Sequence, residues 1–307
     1  MAGIVKLSEG CRPQYSARHI MTLSRVAERR YLQDGKHRWI CGVDEAGRGP
    51  LCGPVVCAAA LIEDCGELIP GIVDSKAVVK ESDREAVYEM IIKDPRVTWG
   101  ISVVSSSTID ELNILQATLL GMRQAVDQCM EKALSKKKIK TRDILVLVDG
   151  NRCPVDMPVD SQWVIKGDSF IYSIAAASIL AKVTRDRIMN DLDGQYPAYG
   201  LSRHKGYPTY SHIQVLNKFG PVKQFYRFSY VPVKSASDRQ QALTTTVTTT
   251  SPTTAVAKKH SQKPVVNKVA KMSAKIVVRK KTDSSSCLPF ETRKSQRLLA
   301  RVTCTVD

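Results

Sequence analysis

"RWICGVDEAGRGPLCGPVVCAAALI", residues 38–62, holds two apolar runs separated by a turn in which adjacent acids, Asp44 and Glu45, precede Gly47-Arg48-Gly49. Val, Ile and Ala dominate both runs, and the Gly/Pro-rich centre reverses the chain, so the stretch predicts strands over 38–44 and 53–62. An alternating run, "VTWGISVV" (97–104), completes an antiparallel meander. "DILVLVDG" (143–150) is apolar without alternation, the mark of a strand covered on both faces, and "QWVIKGD" (162–168) reads as another. "SDRE" (82–85) and "STID" (107–110) read as capping boxes opening helices. The second leads into Leu112, Leu115, Leu119, Met122, Val126 and Cys129, three or four apart along one face. A helix over 169–192 carries Ala175-Ala176-Ala177, small enough to lie close against a sheet. Strands first, then strand and helix in alternation, predict an α/β domain with a mixed central sheet flanked by helices.

Composition bounds the rest. A chain of 307 residues with 43% hydrophobic content can fill a sizeable core. Its net charge of +16 is uneven: from Lys234 onward there are 15 Lys/Arg against 4 Asp/Glu, leaving +5 for residues 1–233. Such a balance favours a polyanion, nucleic acid ahead of anionic lipid. Eight threonines crowd residues 244–254, and the following text lacks the periodicity of a packed element, so 234–307 is expected to be a disordered basic Thr/Lys-rich tail. Residues 1–33 carry six Lys/Arg against Glu9 and Glu28, the composition of a basic N-terminal arm or of a transit peptide. The domain proper is then 34–233. Nine cysteines without a C-x-x-C pair suit reduced thiols, and the longest apolar stretch falls short of the roughly 20 residues that span a bilayer. The expectation is a soluble, intracellular protein with no membrane partner, in mitochondrion or nucleus, with the mitochondrion slightly favoured.

The acids carry the chemistry. Asp44-Glu45, Asp149 and Asp168 all end strands or begin turns, where functional groups gather in open α/β sheets. If their strands are neighbours the carboxylates converge, repel and call for a cation; hard oxygen donors suit magnesium or manganese, and no His or Cys cluster competes for zinc. Two such ions and a basic body are what a phosphodiesterase needs. Each acid on its own also answers as turn chemistry, because Asp satisfies the backbone of a reversing chain. The Gly47-Arg48-Gly49 turn is not a dinucleotide loop, since Pro50-Leu51-Cys52 breaks the G-x-G-x-x-G spacing. Two glycines instead allow backbone to approach a sugar hydroxyl, and the 2′-OH distinguishes RNA from DNA. His204 and His212 lack a third ligand at metal spacing and read as structural or substrate-rim residues, and Trp99 and Trp163 as core. The lysines at 136, 137, 138 and 140 read as a solvated helix end or a phosphate contact.

Six motifs occur in order: "DEAGRGP", "VDSK" (73–76), "VDGN" (148–151), "KGD" (166–168), "AAASILAKVTRD" (175–186) and "HKGYPT" (204–209). Together, over 38–233, they resemble a type 2 ribonuclease H, specifically bacterial-type ribonuclease HII. The resemblance implies a ribonuclease H-like fold and two-metal hydrolysis of RNA in RNA/DNA hybrids. It also implies incision 5′ of ribonucleotides embedded in duplex DNA, leaving 3′-hydroxyl and 5′-phosphate, in ribonucleotide removal and DNA replication or repair. Carried over, Asp44, Glu45, Asp149 and Asp168 hold Mg2+ or Mn2+; Gly47, Arg48 and Gly49 read the 2′-OH; Tyr207 packs on the following deoxyribose; Lys76 meets phosphate. Asp186, with Lys182 one helical turn before it and Arg185 and Arg187 beside it, is expected to form a local ion pair or to support the ligands from behind. Bacterial members often close with a His-Arg-Arg-Ser-Phe-like run, where "QFYRFSYVPV" (224–233) keeps Arg227 and lacks the histidine. "PLCGPVV" and "HKGYPT" resemble the single-chain bacterial type, so activity as a monomer is expected. The alternative class is a catalytically idle hybrid-binding protein.

Overall fold

The computed structural model describes residues 2–4, 21–136 and 139–248. In chain order these form β1 (Ala2–Ile4), β2 (Met21–Leu23), α1 (Val26–Arg29), β3 (Trp39–Ala46), β4 (Val55–Ile62), α2 (Glu81–Lys93), β5 (Val97–Val104), α3 (Ser106–Leu112), α4 (Ile114–Lys136), β6 (Ile144–Asp149), β7 (Asp160–Val164), α5 (Tyr172–Gln195), α6 (Leu201–His204), α7 (Tyr210–Phe219) and α8 (Val231–Thr248). The expected five strands make one mixed sheet, ordered β5-β4-β3-β6-β7. The β3-β4-β5 meander is antiparallel, whereas β6 joins β3, and β7 joins β6, in parallel. No helix among the described residues is long and apolar enough to cross a membrane.

Both faces of the sheet are covered. On one, Met122, Ala125, Val126, Cys129 and Ala133 of α4 pack on Cys41, Val43, Cys57 and Val146. On the other, Ala175, Ala176, Ile179 and Leu180 of α5 pack on Val56, Ala58 and Ala60. A Cβ at Gly42 would stand 2.2 Å from Ile174 N, so only glycine lets α5 run this close to β3. A third core, built from Tyr199, Leu201, Leu216, Phe225, Tyr226 and Val233, gathers the C-terminal helices beside Leu51 and Cys52.

Several expectations shift. The long helix is split: Asn113 takes a left-handed backbone (φ 68), and its side-chain oxygen accepts from the Leu115 and Gln116 amides to cap α4. The buried stripe of α4 therefore begins at Ala117, and Leu112 is exposed. Neither capping box forms as read. Ser105, not Ser107, caps α3, and α2 begins at Glu81 after Lys80 with no side-chain cap. Asp110 instead accepts from the Phe228 and Ser229 amides (both 2.8 Å). Trp163 is 49% exposed on the outermost strand β7 rather than in the core. Trp99 is half-buried under the Lys132 ammonium, 4.0 Å from its ring centre.

Ordered packing also extends beyond both edges of the expected domain. Arg25 and Glu28 are buried as an ion pair (2.7 Å); Arg25 donates to Ile62 O and Glu63 O, and Glu28 accepts from the Ser173 amide. A carboxylate at the first turn of a 24-residue helix complements its dipole. Ala27, Tyr31 and Leu32 pack on Ile40, Leu147 and Ile174. At the other end, α8 carries the chain in helix through Thr248, with Val233 and Ala236 buried, so residues 234–248 of the expected disordered tail are helical. The tail from 249 to 307, residues 5–20 of the arm, and Lys137 and Lys138 lie outside the described residues.

Candidate active site

Strand register explains why two distant acids meet. β3 and β6 run parallel with Val43 opposite Val148, so Asp44 and Asp149 follow as neighbours where both strands leave the sheet. Asp168 arrives from a 3-10 turn, Gly167–Ser169, that follows β7 and leads into α5. Its backbone amide donates to Asp149 Oδ1 (3.4 Å). Asp44, Asp149 and Asp168 each offer a carboxylate oxygen within 4.8 Å of the others. Asp149 and Asp168 line an open cleft of about 580 Å³ that also reaches Lys76, Asn151 and Lys166.

Glu45 stands apart from this trio. Alternation along β3 puts it on the opposite face from Asp44, across from Cys57 of β4, with Arg48 Nη1 3.4 Å away. It remains within electrostatic reach of Asp149.

The electrostatics are those of crowded anions. Burial pushes the Asp44 carboxyl well above the usual range, and the charges of Glu45, Asp149 and Asp168 add to the shift. Burial and then Asp168 raise Asp149; burial raises Glu45 against the opposing pull of Arg48. One cation touches the trio among the described residues: Lys76 Nζ, 2.7 Å from Asp168 Oδ2. Burial alone would lower its pKa, but the Asp168 hydrogen bond and charge outweigh that and raise it. Among the described residues, Asp44 accepts only the Glu45 amide (2.7 Å). Converging hard oxygens with unused lone pairs, compensated by a single ammonium, fit divalent cations of the magnesium type.

The Gly47-Arg48-Gly49 turn sits on two buried arginines that sequence reasoning did not single out for this task. Arg227, 0% exposed, donates to the carbonyls of Gly47 (2.6 Å), Arg48 (3.0 Å), Pro50 (2.8 Å), Gly53 (2.9 Å) and Pro54 (3.2 Å). Arg185 donates to Pro54 O (3.0 Å), Cys52 O (3.1 Å) and Lys205 O (2.9 Å). Burial, then the charge of Arg227, pushes the Arg185 guanidinium down to about 10, which leaves it cationic at neutral pH. Neither arginine forms an ion pair among the described residues. Only Arg227's place among aromatics, "FYRFSY", hinted at burial.

Gly47 itself has φ +98, and a Cβ there would stand 2.1 Å from Arg185 Nε. Gly49 has room: a Cβ would lie 3.5 Å from Tyr207 Cε1, which places the half-exposed Tyr207 ring against the turn. His212 donates from Nδ1 to Tyr207 O (2.9 Å), so Nε2 accepts from the Tyr226 hydroxyl (2.8 Å). His204 stacks on His212 with ring centres 4.1 Å apart. Both histidines are therefore scaffold for Tyr207.

Asp186 is absent from the carboxylate trio. It is 2% exposed and pairs with Lys182 Nζ (2.7 Å) and Arg84 (3.8 Å), while the neighbouring Arg185 faces the glycine turn and Arg187 binds Glu85 and Glu89.

A mixed sheet flanked by helices, with acids gathered at the carboxyl ends of two parallel strands and before the long helix, is the architecture of ribonuclease H-like metal-dependent nucleases. A family model described as Ribonuclease HII matches residues 41–233, and the chain belongs to that family, whose members are metal-dependent endoribonucleases, hydrolases acting on RNA/DNA hybrids. A ribonuclease HII of Cupriavidus pinatubonensis is 45% identical over 203 residues, 66% of this chain and 88% of that one. Among solved structures, ribonuclease H2 from Pyrococcus horikoshii OT3 shares the fold with a TM-score of 0.50 at 23% identity, over 66% of this chain and 99% of its own. Bst-RNase HIII, solved in complex with Mn2+, shares it with a TM-score of 0.51 at 16% identity, over 76% of this chain and 79% of its own.

The bacterial relative overturns the expected compartment. That relative comes from a bacterium, and so points away from mitochondrion and nucleus. The transit-peptide reading rested on the basic composition of 1–33, but part of that charge serves the fold: Arg25 is buried against Glu28.

Proposed function

We propose that this chain incises duplex DNA 5′ of embedded ribonucleotides and degrades the RNA of RNA/DNA hybrids, leaving 3′-hydroxyl and 5′-phosphate ends and serving ribonucleotide removal in DNA replication and repair. It acts as a monomer. The observation that carries the reading is the carboxylate trio, with oxygens all within 4.8 Å of one another, whose Asp44 stands near the end of β3, the strand that continues into a glycine turn exposed at Arg48 and Gly49 and faced by Tyr207. Asp44, Asp149 and Asp168, with Glu45 from the far side of β3, would hold two divalent ions, Mg2+ or Mn2+. Once bound, these supply an activated water and positive charge at the leaving oxygen.

The rest falls to the chain's own residues. Lys76, 76% exposed and tied to Asp168, is free to swing to a phosphate once a cation takes over that carboxylate. The backbone of Gly47, Arg48 and Gly49 reads the ribose hydroxyl, and Tyr207 offers a flat apolar face to the next sugar. Asp186 and Lys182 hold α5 from behind rather than touching substrate.

The test is a duplex with one embedded ribonucleotide, incubated with the protein in Mg2+ or Mn2+, and the products sized at the junction. Asp149→Asn should abolish cleavage while hybrid binding persists; normal cleavage by that variant in Mg2+ refutes the site. Salt-sensitive binding without nicking by the unaltered protein would instead select the idle hybrid-binding alternative.

A further inference from the structure

Peptide geometry turns the buried Arg227 into more than a strut. In a trans peptide the C=O and the following N–H point in opposite directions. Arg227 takes the Gly47 carbonyl at 2.6 Å, so the Arg48 amide is aimed away from the guanidinium. It takes the Arg48 carbonyl too, at 3.0 Å, and the Tyr230 hydroxyl donates to the same oxygen at 2.8 Å, so the Gly49 amide is also aimed outward. Arg48 and Gly49 are exposed, and among the described residues no acceptor takes either amide proton. Two adjacent free donors are thereby presented beside the carboxylates, held from behind by the buried Arg227 guanidinium and the half-buried Tyr230.

We propose that Arg227 and Tyr230 form a positioning clamp that sets the ribose selectivity of the enzyme by fixing the direction of the Arg48 and Gly49 amides. This rests on the reading of the glycine turn as the ribose sensor. The clamp is independent of the metal site, because neither side chain touches a carboxylate of the trio. Tyr230 also donates nothing else among the described residues, so its hydroxyl is removable without stranding a second group. Arg227 Nη1 loses one of three acceptors when it goes (3.1 Å). The Asp110 carboxylate fastens the clamp's loop through the Phe228 and Ser229 amides, from the start of the helical layer on the far side of the sheet from α5.

The experiment compares binding of the full chain, in Ca2+ to suppress turnover, to a duplex with one ribonucleotide and to the same duplex in all-deoxy form, for the unaltered protein, Tyr230→Phe and Arg227→Lys. Thermal melting and cleavage of the ribonucleotide duplex at saturating Mg2+ are read in parallel. Tyr230→Phe should keep its melting temperature and its affinity for the all-deoxy duplex, while the ribo/deoxy affinity ratio falls roughly fivefold, the worth of one hydrogen bond. Arg227→Lys, which cannot span the same carbonyls, should lower the ratio further and raise KM more than it lowers kcat. If Tyr230→Phe keeps the full ratio, or if both variants merely lose active protein with the ratio and KM intact, the clamp is refuted. If the unaltered protein itself fails to prefer the ribonucleotide duplex, the ribose-sensing reading fails, a result separable from the first.

Discussion

The two glycines of the Gly-Arg-Gly turn look equivalent in sequence, and the structure predicts that their alanine variants fail in different ways. Gly47 has φ +98, and its added Cβ would meet Arg185 Nε at 2.1 Å, Arg185 Cδ at 2.4 Å and Pro54 O at 2.9 Å. The left-handed backbone costs about 1–2 kcal/mol for an L side chain. Displacing Arg185 strands at least one of its three carbonyl partners, about 1–3 kcal/mol each. A loss of about 4 kcal/mol in total follows, or roughly 10 °C in melting temperature for a domain of this size. Gly49 carries no such backbone, and its Cβ would touch only the edge of the Tyr207 ring, Cε1 at 3.5 Å and Cδ1 at 3.9 Å, ordinary contact. Gly49→Ala should therefore melt within roughly 2 °C of the unaltered protein, while a methyl group beside Tyr207 impairs cleavage at a single ribonucleotide. Melting by circular dichroism without metal and single-turnover cleavage with it measure the two effects separately. A Gly47→Ala variant that melts like the unaltered protein, or a Gly49→Ala variant as unstable as Gly47→Ala, refutes this account of the turn.

Three further outcomes follow from other parts of the molecule. Asp44→Asn should abolish cleavage yet raise the metal-free melting temperature at neutral pH: a carboxyl whose folded pKa is raised binds protons more tightly folded than unfolded, so its destabilising effect grows as pH rises above the ordinary 3.8 and vanishes below it. A melting gain that persists unchanged at pH 3 contradicts this. Glu28→Ala should cost about 3–5 kcal/mol, because it leaves Arg25 buried without its counter-charge, and lower melting by roughly 10 °C; unchanged melting would start the folded domain after residue 33. Burial pushes His212 down to about 4, so the unfolded chain takes up its proton first as pH drops below 6.5. Its contribution, at most about 3 kcal/mol, is present above that pH and is lost on approach to pH 4. Urea unfolding at pH 7.5 and 4.5 should show this loss in the unaltered protein and a smaller one in His212→Asn; equal losses refute it.

Much of the fold was written locally. Four of the five strands announce themselves because a strand buried on one or both faces needs Val, Ile and Ala in runs, whereas the mostly exposed edge strand β7 runs over Asp160–Val164 and meets the expected 162–168 only in part; Ala175–Ala177 advertise a helix that must lie close to a sheet. Capping proved less legible: Ser-x-x-Glu at 82 and Ser-x-x-Asp at 107 match a motif, yet Asp110 is drawn away by the Phe228 and Ser229 amides, 118 and 119 residues on. The helix break at Asn113 was equally invisible, since a single left-handed residue with a good capping side chain interrupts the helix without erasing its periodicity.

Composition and residue order were enough for the class of chemistry and its ingredients. Acids at strand ends, a glycine turn directly after two of them and the order of six motifs are one-dimensional facts, because they need only composition and spacing. Tertiary structure alone decided which ingredients meet. Parallel register brings Asp149 beside Asp44, strand alternation turns Glu45 to the other face, and Asp186 is drawn off to Lys182 and Arg84. It also revealed that Gly47 is constrained by Arg185 beneath it and that Arg227, 180 residues away in the chain, aims the turn's amides. A buried guanidinium satisfied by backbone carbonyls leaves no pattern in sequence, since every residue has a carbonyl and only the fold chooses which ones converge.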